Sequence, residues 1–564
     1  MTPVSTRRAC ARLFHAVRPL LLGAFLLVPA SPLLVAPLQA ASLQAAHAGT
    51  PSVPYQWNNV AIGGGGFITG LVFHPGQQGL LYARTDVGGA YRWNAPTRRW
   101  IPLTDWLGRD DFNLTGIESL ALDPRDPQRL YLAAGTYTNP RVGNGAILRS
   151  TDRGATFDRI DLPFKLGGNE LSRGNGERLA VDPNAGGTLL LGSRANGLWR
   201  SDDHGSSWRE GTTFPAIARS PEASSPAWNG TQQIGIVFVH FDARSGREGA
   251  PTPVVYAAVS TTSTSLYRSD DNGTTWTAVP GQPTGLRPTR MAQGRDGRMY
   301  IAYADLPGPD RMHDGALWRF DPAQGRWQDI SPVAQSTDTE GDGFGWGGVD
   351  VDAHDPDIVM ASTFNRFGPH DDIFRSTDGG HSWAPVIAGA RFDHSNAPWT
   401  AHASPHWIAD VKIDPYDPGR ALFVTGYGLW ASDDVRVTGQ GGAVQWRFQN
   451  EGLEETVPLD LISPAQGAHL LTALGDIDGF RHDDLNVSPL QYAGPRLTNG
   501  ESIDVAAGAP LTVVRSGTVR HRRNNEIRAA WSRDGGAAWT AFGSEPDDRE
   551  GSGRIRIAPD GGRV

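Results

Sequence analysis

A short pattern, S-x-D-x-G-x-[ST]-[WF], recurs along the 564 residues of this chain and constrains its fold more than any other feature. It occurs as Ser150, Asp152, Gly154, Thr156 and Phe157; as Ser201, Asp203, Gly205, Ser207 and Trp208; as Ser269, Asp271, Gly273, Thr275 and Trp276; and as Ser376, Asp378, Gly380, Ser382 and Trp383. A fifth copy, Ser532, Asp534, Gly536 and Trp539, carries Ala538 in the hydroxyl position. In such a turn the carboxylate accepts backbone N–H groups, glycine supplies a corner with φ > 0, and the aromatic side chain packs between sheets. These aspartates therefore read as structural. The first two stand 51 positions apart, at 152 and 203, which fits one four-stranded propeller blade. The 69 glycines and 18 tryptophans suit many short strands with aromatic side chains between them.

Each repeat reads as an apolar strand, a turn, a second strand ending in a small residue, and a third strand of Leu-Trp-Arg-Ser type. Second strands begin near Leu80, Leu130, Leu189, Val255, Met299, Val359 and Leu422, seven units that would close one ring. A further unit starts at Leu461, another spans about 502–542, and a third opens before the chain stops. The predicted class is all-β, with tandem seven-bladed propellers of which the second is incomplete. The expected division is a secretory signal at 1–48, the first propeller at 49–451, and the first blades of a truncated second propeller at 452–564.

Two units stand apart. LLYARTDVGGAYRW at 80–93 and LLTALGDIDGFRH at 470–482 each place one aspartate, Asp86 or Asp476, after an apolar strand and before a Gly-rich bend. At the aligned position the other units carry Gly135, Arg194, Ser260, Ala304, Phe364 and Gly428. A carboxylate at equivalent places in two halves of a molecule suits acid/base hydrolysis of a glycosidic bond, where one group protonates the leaving oxygen and the other activates water. Inverting hydrolysis needs the two about 6.5–9.5 Å apart, and two propellers meeting across a groove would supply that gap. The competing reading makes both of them ordinary turn residues.

The N-terminus carries Arg7, Arg8, Arg12 and Arg18, then an apolar stretch over 20–38 broken by Pro29, Pro32 and Pro37, then Ala46-His47-Ala48. That order reads as a secretory signal rather than a membrane-spanning helix, so the protein is expected to be extracellular or periplasmic. The single cysteine, Cys10, lies within it, which removes disulfides and thiolate metal sites from the mature chain. A net charge of −9 without a basic cluster offers no electrostatic footprint for nucleic acid or anionic lipid. No partner of either kind is expected.

NNVAIGGGGFITGLVFHP at 58–75, ARTDVGGAYRW at 83–93, GLEETVPLDLISP at 452–464 and ALGDIDGFRHDDL at 473–485 together resemble glycoside hydrolase family 74, the xyloglucan-cleaving β-1,4-glucanases. The resemblance runs over about 57–564. It implies a monomeric enzyme with tandem seven-bladed propellers, inverting chemistry, a plant cell-wall polysaccharide as substrate and no cofactor or metal. Carried over by motif, Asp86 would be the general base and Asp476 the general acid. Family members complete the second propeller, so the resemblance also implies that this sequence is C-terminally truncated, with its last blades poorly held and its activity weak.

An uncharged polysaccharide calls for aromatic faces. Tryptophans at repeat positions, such as Trp199, Trp276 and Trp430, read as core. Those out of register, Trp106, Trp228, Trp346, Trp399 and Trp407, are the candidate sugar platforms. The run Gly63 to Gly66 lacks the helix and Lys-Ser/Thr pair of a phosphate loop. Asp338, Glu340 and Asp342 open like a calcium loop, yet Val349 stands where the bidentate Glu is needed. Pro405 between His402 and His406 spoils helical aim at a metal. The repeated box also resembles those of sialidases and of sortilin-type binding modules. The first class uses a tyrosine nucleophile and clustered arginines, the second leans on disulfides, and both remain open as alternatives.

Overall fold

The computed structural model describes residues 56–211, 213–227, 230–334, 343–519, 527–545 and 553–564. The expected secretory signal at 1–48, Trp228 and the acidic triplet at 338–342 lie outside the described residues. From Asn59 onward the chain forms one compact unit. It is all-β: among the described residues the only helices are six short 3-10 turns, and none is long and apolar enough to cross a membrane.

Among the described residues, six four-stranded antiparallel sheets and one five-stranded sheet follow one another from Ile68 to Phe448. The first comprises Ile68–Phe73, Leu81–Thr85, Ala90–Asn94 and Arg99–Pro102. The seventh is built on Val411–Asp414, Asp417–Thr425, Gly428–Ser432 and Gln445–Phe448, with Arg391–Asp393 added in parallel beyond the last. Each sheet packs against the next, and the first strand of sheet one packs against sheet seven. An eighth sheet (Pro458–Ile462, Leu470–Leu474, Arg481–His482) and a ninth (Asn499–Val505, Val513–Thr518, Ala529–Ser532, Thr540–Ala541) pack on each other.

Burial follows strand order within a sheet. In sheet two Ile117–Leu122 and Leu130–Ala134 are buried throughout, whereas Asp158–Asp161 is largely exposed. A continuous apolar run such as LYLAA marks a strand covered on both faces. The S-x-D-x-G turns close the outer hairpins. Ser150 Oγ donates to Asp152 Oδ1 at 2.7 Å and accepts from the Gly154 N–H at 2.7 Å, while Thr156 donates its N–H and its hydroxyl to Asp152 at 2.9 and 2.5 Å. The hydroxyl bond and its companions hold Asp152 down at about 2, and the same pattern recurs at Asp203, Asp271 and Asp378. A variant missed in the sequence is Ser432 with Asp434, where the carboxylate reaches the N–H of Gln445 at 3.2 Å across an inserted loop.

Buried ion pairs tie the inner strands together. Glu177 bonds Arg84 at 2.9 Å and lies 3.6 Å from Arg290; Asp410 joins Arg290 and Lys412, both at 3.2 Å. Glu118 takes Arg178 at 3.1 Å and Arg194 at 2.5 Å. Breaking one such pair leaves a buried charge uncompensated, at a cost of about 3–5 kcal/mol.

Candidate functional site

Asp86 sits in the turn that follows the second strand of sheet one. Thr85 accepts the Gly88 N–H on its hydroxyl at 2.8 Å and donates that hydroxyl to the Gly89 carbonyl at 3.0 Å, so the bend is closed locally. The Asp86 N–H is taken by the Phe67 carbonyl at 3.4 Å. The side chain turns inward: the residue is 7% exposed, and Oδ2 accepts from Arg173 Nε at 3.0 Å. Arg173 is itself laid over two rings, 5.6 Å from the centroid of Phe67 and 5.5 Å from that of Trp407.

A second carboxyl faces Asp86. Glu455 belongs to the segment that leaves sheet seven, and it is 1% exposed. Its Oε1 accepts the N–H groups of Gly88 at 3.1 Å and Val87 at 3.3 Å, and its carboxyl lies within hydrogen-bonding reach of Asp86. Burial pushes Glu455 far above the ordinary carboxyl range, and the charge of Asp86 pushes it further. Burial also raises Asp86, which Arg173 and the hydrogen bond with Glu455 draw back.

The glycine run now has a physical role. Gly64 pairs in parallel with Glu454, and its φ of +88° together with a Tyr427 carbonyl only 2.4 Å from any added Cβ excludes other residues. Glu454 accepts the N–H groups of Ile62 and Gly63 at 3.0 and 2.9 Å, and burial pushes it up to about 7. This seam brings the entry to sheet one and the exit from sheet seven beside sheet eight, with Ser488 donating to the Ile62 carbonyl at 2.6 Å.

Asp476 occupies the corresponding turn of sheet eight and is exposed. Its φ of +67° is a left-handed conformation that aspartate tolerates better than most residues. Its N–H donates to Asn499 Oδ1 at 2.8 Å. The two predicted aspartates come close enough for the charge of Asp476 to raise Asp86.

The aromatic candidates divide. Trp106 is 51% exposed, lies near-parallel to Phe157, and donates Nε1 to the Leu103 carbonyl at 3.1 Å. Trp407 is half-buried and packs on Phe67 at 5.3 Å, beside Arg173. Trp346 and Trp399 require correction. Trp346 is fully buried between Phe344 and Phe374, and Trp399 is 3% exposed with Nε1 on the Ile62 carbonyl at 2.9 Å. Neither offers a ring face to a sugar: Trp346 lies within a buried strand, Gly345–Val351, rather than on a loop, and Trp399 lies in a short 3-10 turn, Pro398–His402, that packs into the core.

Two site residues escaped sequence reading, Arg173 and Glu455. Arg173 lies in a polar loop, NELSRGNGER at 169–178, with no pattern to mark it. Glu455 stood inside a quoted motif, where Glu454-Glu455 beside the tight turn before a new strand was the available signal. A separate pocket of about 330 Å³, lined by Leu71, Glu177, His240, Arg290, Asp350 and Lys412 among others, opens on the inner strands away from both aspartates.

No family model matches the chain. A xyloglucanase of Paenibacillus sp. is 41% identical over 549 residues, covering 93% of this chain and 53% of that protein. Xyloglucanase Xgh74A of Acetivibrio thermocellus is 41% identical over 536 residues, covering 90% and 63%. The chain thus spans less than two-thirds of the length of either relative. The crystal structure of the GH74 xyloglucanase from Xanthomonas campestris is similar with a TM-score of 0.88 at 61% identity, over 90% of this chain and 72% of that one. An all-β series of four-stranded sheets, a close solved structure and extended identity lead to one assignment: this chain belongs to glycoside hydrolase family 74.

Proposed function

We propose that this protein hydrolyses the β-1,4-glucan backbone of xyloglucan with inversion, Asp86 acting as general base and Asp476 as general acid. What supports this reading is the placement of one aspartate in each of two equivalent turns, of sheets one and eight, with the charge of Asp476 among the influences that raise Asp86. Asp86 removes a proton from water, whose oxygen bonds to the anomeric carbon. Asp476 protonates the departing glycosidic oxygen as its bond to that carbon breaks, leaving an inverted hemiacetal and a free 4-hydroxyl. Burial raises Asp86, and Arg173 offsets part of that rise, since a nearby cation favours the charged form a base needs. Trp106 and Trp407 supply stacking faces for the glucan.

The architecture we propose is a closed seven-bladed propeller at 49–451, supported by the packing of sheet seven on sheet one, with sheets eight and nine as blades of a second propeller and the substrate groove between the two. The likeness to xyloglucanases supports the substrate class. The arginine-rich N-terminus with its apolar core supports export. The protein works as a monomer, without cofactor. Incubation with xyloglucan, unbranched β-1,4-glucan and a sialoside tests the reading: new reducing ends from xyloglucan with an inverted anomer are expected, and sialoside cleavage alone would overturn it.

A further inference from the structure

The pair formed by Asp86 and Glu455 is more than the two-carboxylate scheme uses. Both groups are buried, and two carboxyls in contact cannot both ionise, so they hold one proton between them. Their surroundings decide where it resides. Asp86 has a cation on Oδ2, the Arg173 guanidinium at 3.0 Å. Glu455 has no cation: the N–H groups of Val87 and Gly88 lie on Oε1 and the Thr85 hydroxyl is beside the carboxyl, while no group with a hydrogen to donate reaches the buried Oε2. A proton on Oε2 gives that atom a function, a hydrogen bond donated to Asp86. The side chain has little room to turn elsewhere. A Cβ added at Gly66 or Gly88 would lie 2.6 or 2.7 Å from Glu455 Cγ, so glycine is needed on both sides for the carboxyl to fit.

We infer that Glu455 is a positioning residue: held as the neutral acid, it donates a hydrogen bond from Oε2 to Asp86 and, with Arg173, aims that carboxylate at the water to be activated. This rests on the proposed role of Asp86 as the base. Other titratable groups facing the pair are Asp476 from sheet eight, Tyr91 from the third strand of sheet one, and Glu454 beside it in sequence. Tyr91 donates its hydroxyl to the Glu454 carbonyl at 3.0 Å, and burial pushes it well up, so at neutral pH it adds no charge.

The test uses the full chain and three variants, Glu455→Gln, Glu455→Ala and Asp86→Ala. Infrared difference spectra at pH 7, wild type minus Glu455→Gln, should show the stretch of a protonated carboxyl that moves when Asp86 is replaced. Its absence would overturn the inference whether or not the chain turns over substrate. In kinetics, Glu455→Gln keeps both a donor toward Asp86 and an acceptor toward Gly88, so kcat should stay within about threefold. Glu455→Ala should lose about 10- to 100-fold in kcat, the scale of a misplaced catalytic group, and its acid limb of kcat/KM should move to higher pH. An acid limb that moves to lower pH in Glu455→Gln would mean that Glu455 is ionised, which contradicts the inference. A Glu455→Ala variant that only melts earlier, with an unchanged pH profile, would reduce Glu455 to a structural role. Asp86→Ala separates the two levels: if it retains full rate the base assignment fails, whereas loss of rate there with a silent Glu455→Ala sinks the positioning role alone.

Discussion

Asp86 and Asp476 stand at equivalent turns of sheets one and eight, yet their environments are opposites. Asp86 is enclosed, with a guanidinium on one side, a second carboxyl on the other, and a bend closed by Thr85 and Gly89. Asp476 is exposed, its backbone in the left-handed region and its N–H carried by Asn499 of sheet nine. The contrast suits a division of labour. A general base must stay ionised and fixed toward one water, which a cation and a donor achieve. A general acid must take up a proton again after every turnover, which access to solvent permits. The same repeat thus places two carboxyls in different surroundings because different loops reach them.

The largest way to break this comparison is to remove the enclosed member. Asp86→Ala should lower kcat on xyloglucan by about 10²- to 10⁴-fold with the fold retained, measured by initial rates beside circular dichroism. An activity within tenfold of wild type would remove Asp86 from the chemistry. Next in size is its cation. Arg173→Met keeps an apolar stem between Phe67 and Trp407 but deletes the charge, so the acid limb of kcat/KM should move to higher pH and the rate below that limb should fall by about tenfold or more. An unmoved limb would show that Arg173 does not tune the base.

The tryptophans sharpen the comparison in another way. Trp106→Ala should raise KM about 3- to 10-fold, as one stacking contact of about 0.5–1.5 kcal/mol would, with little change in Tm. Trp346→Ala should do the reverse, costing about 3–5 kcal/mol of stability with KM unchanged. Calorimetry on both variants separates a platform from a core residue.

The smallest effect concerns pH and stability. Glu454 is pushed up to about 7 when folded, so its contribution is fully present below the ordinary carboxyl range and is lost as pH rises through 7. The box aspartates, held at about 2, contribute above the ordinary range and lose that contribution as pH falls through 2. Stability should therefore peak in mildly acidic solution. Glu454→Gln, which still accepts the Ile62 and Gly63 N–H groups, should flatten the alkaline side by no more than about 2 °C in Tm. An unchanged slope between pH 6 and 8 would place the alkaline loss elsewhere.

The all-β class and the recurring sheets were legible because the S-x-D-x-G turn is self-contained: four hydrogen bonds join residues within six positions of one another. Asp86 and Asp476 stood out by alignment, since only two units keep a carboxylate there, and the catalytic roles proposed for them start from that pattern. What escaped was everything set by distance in sequence. Arg173 meets Asp86 across 87 positions and Gly88 meets Glu455 across 367, and no local pattern carries such contacts. Trp346 and Trp399 were misread for the same reason. Their exposure depends on Phe374 and Ile62, which the repeat register does not reveal.

The proposed pairing of an enclosed base with an exposed acid is tested most directly by changing the leaving group. Asp86→Ala and Asp476→Ala are compared on xyloglucan and on an aryl xyloglucan oligosaccharide whose phenol departs without protonation. The account predicts that Asp476→Ala recovers most of its lost kcat/KM on the aryl substrate while Asp86→Ala recovers none. Equal recovery in both variants, or recovery in Asp86→Ala alone, would contradict it.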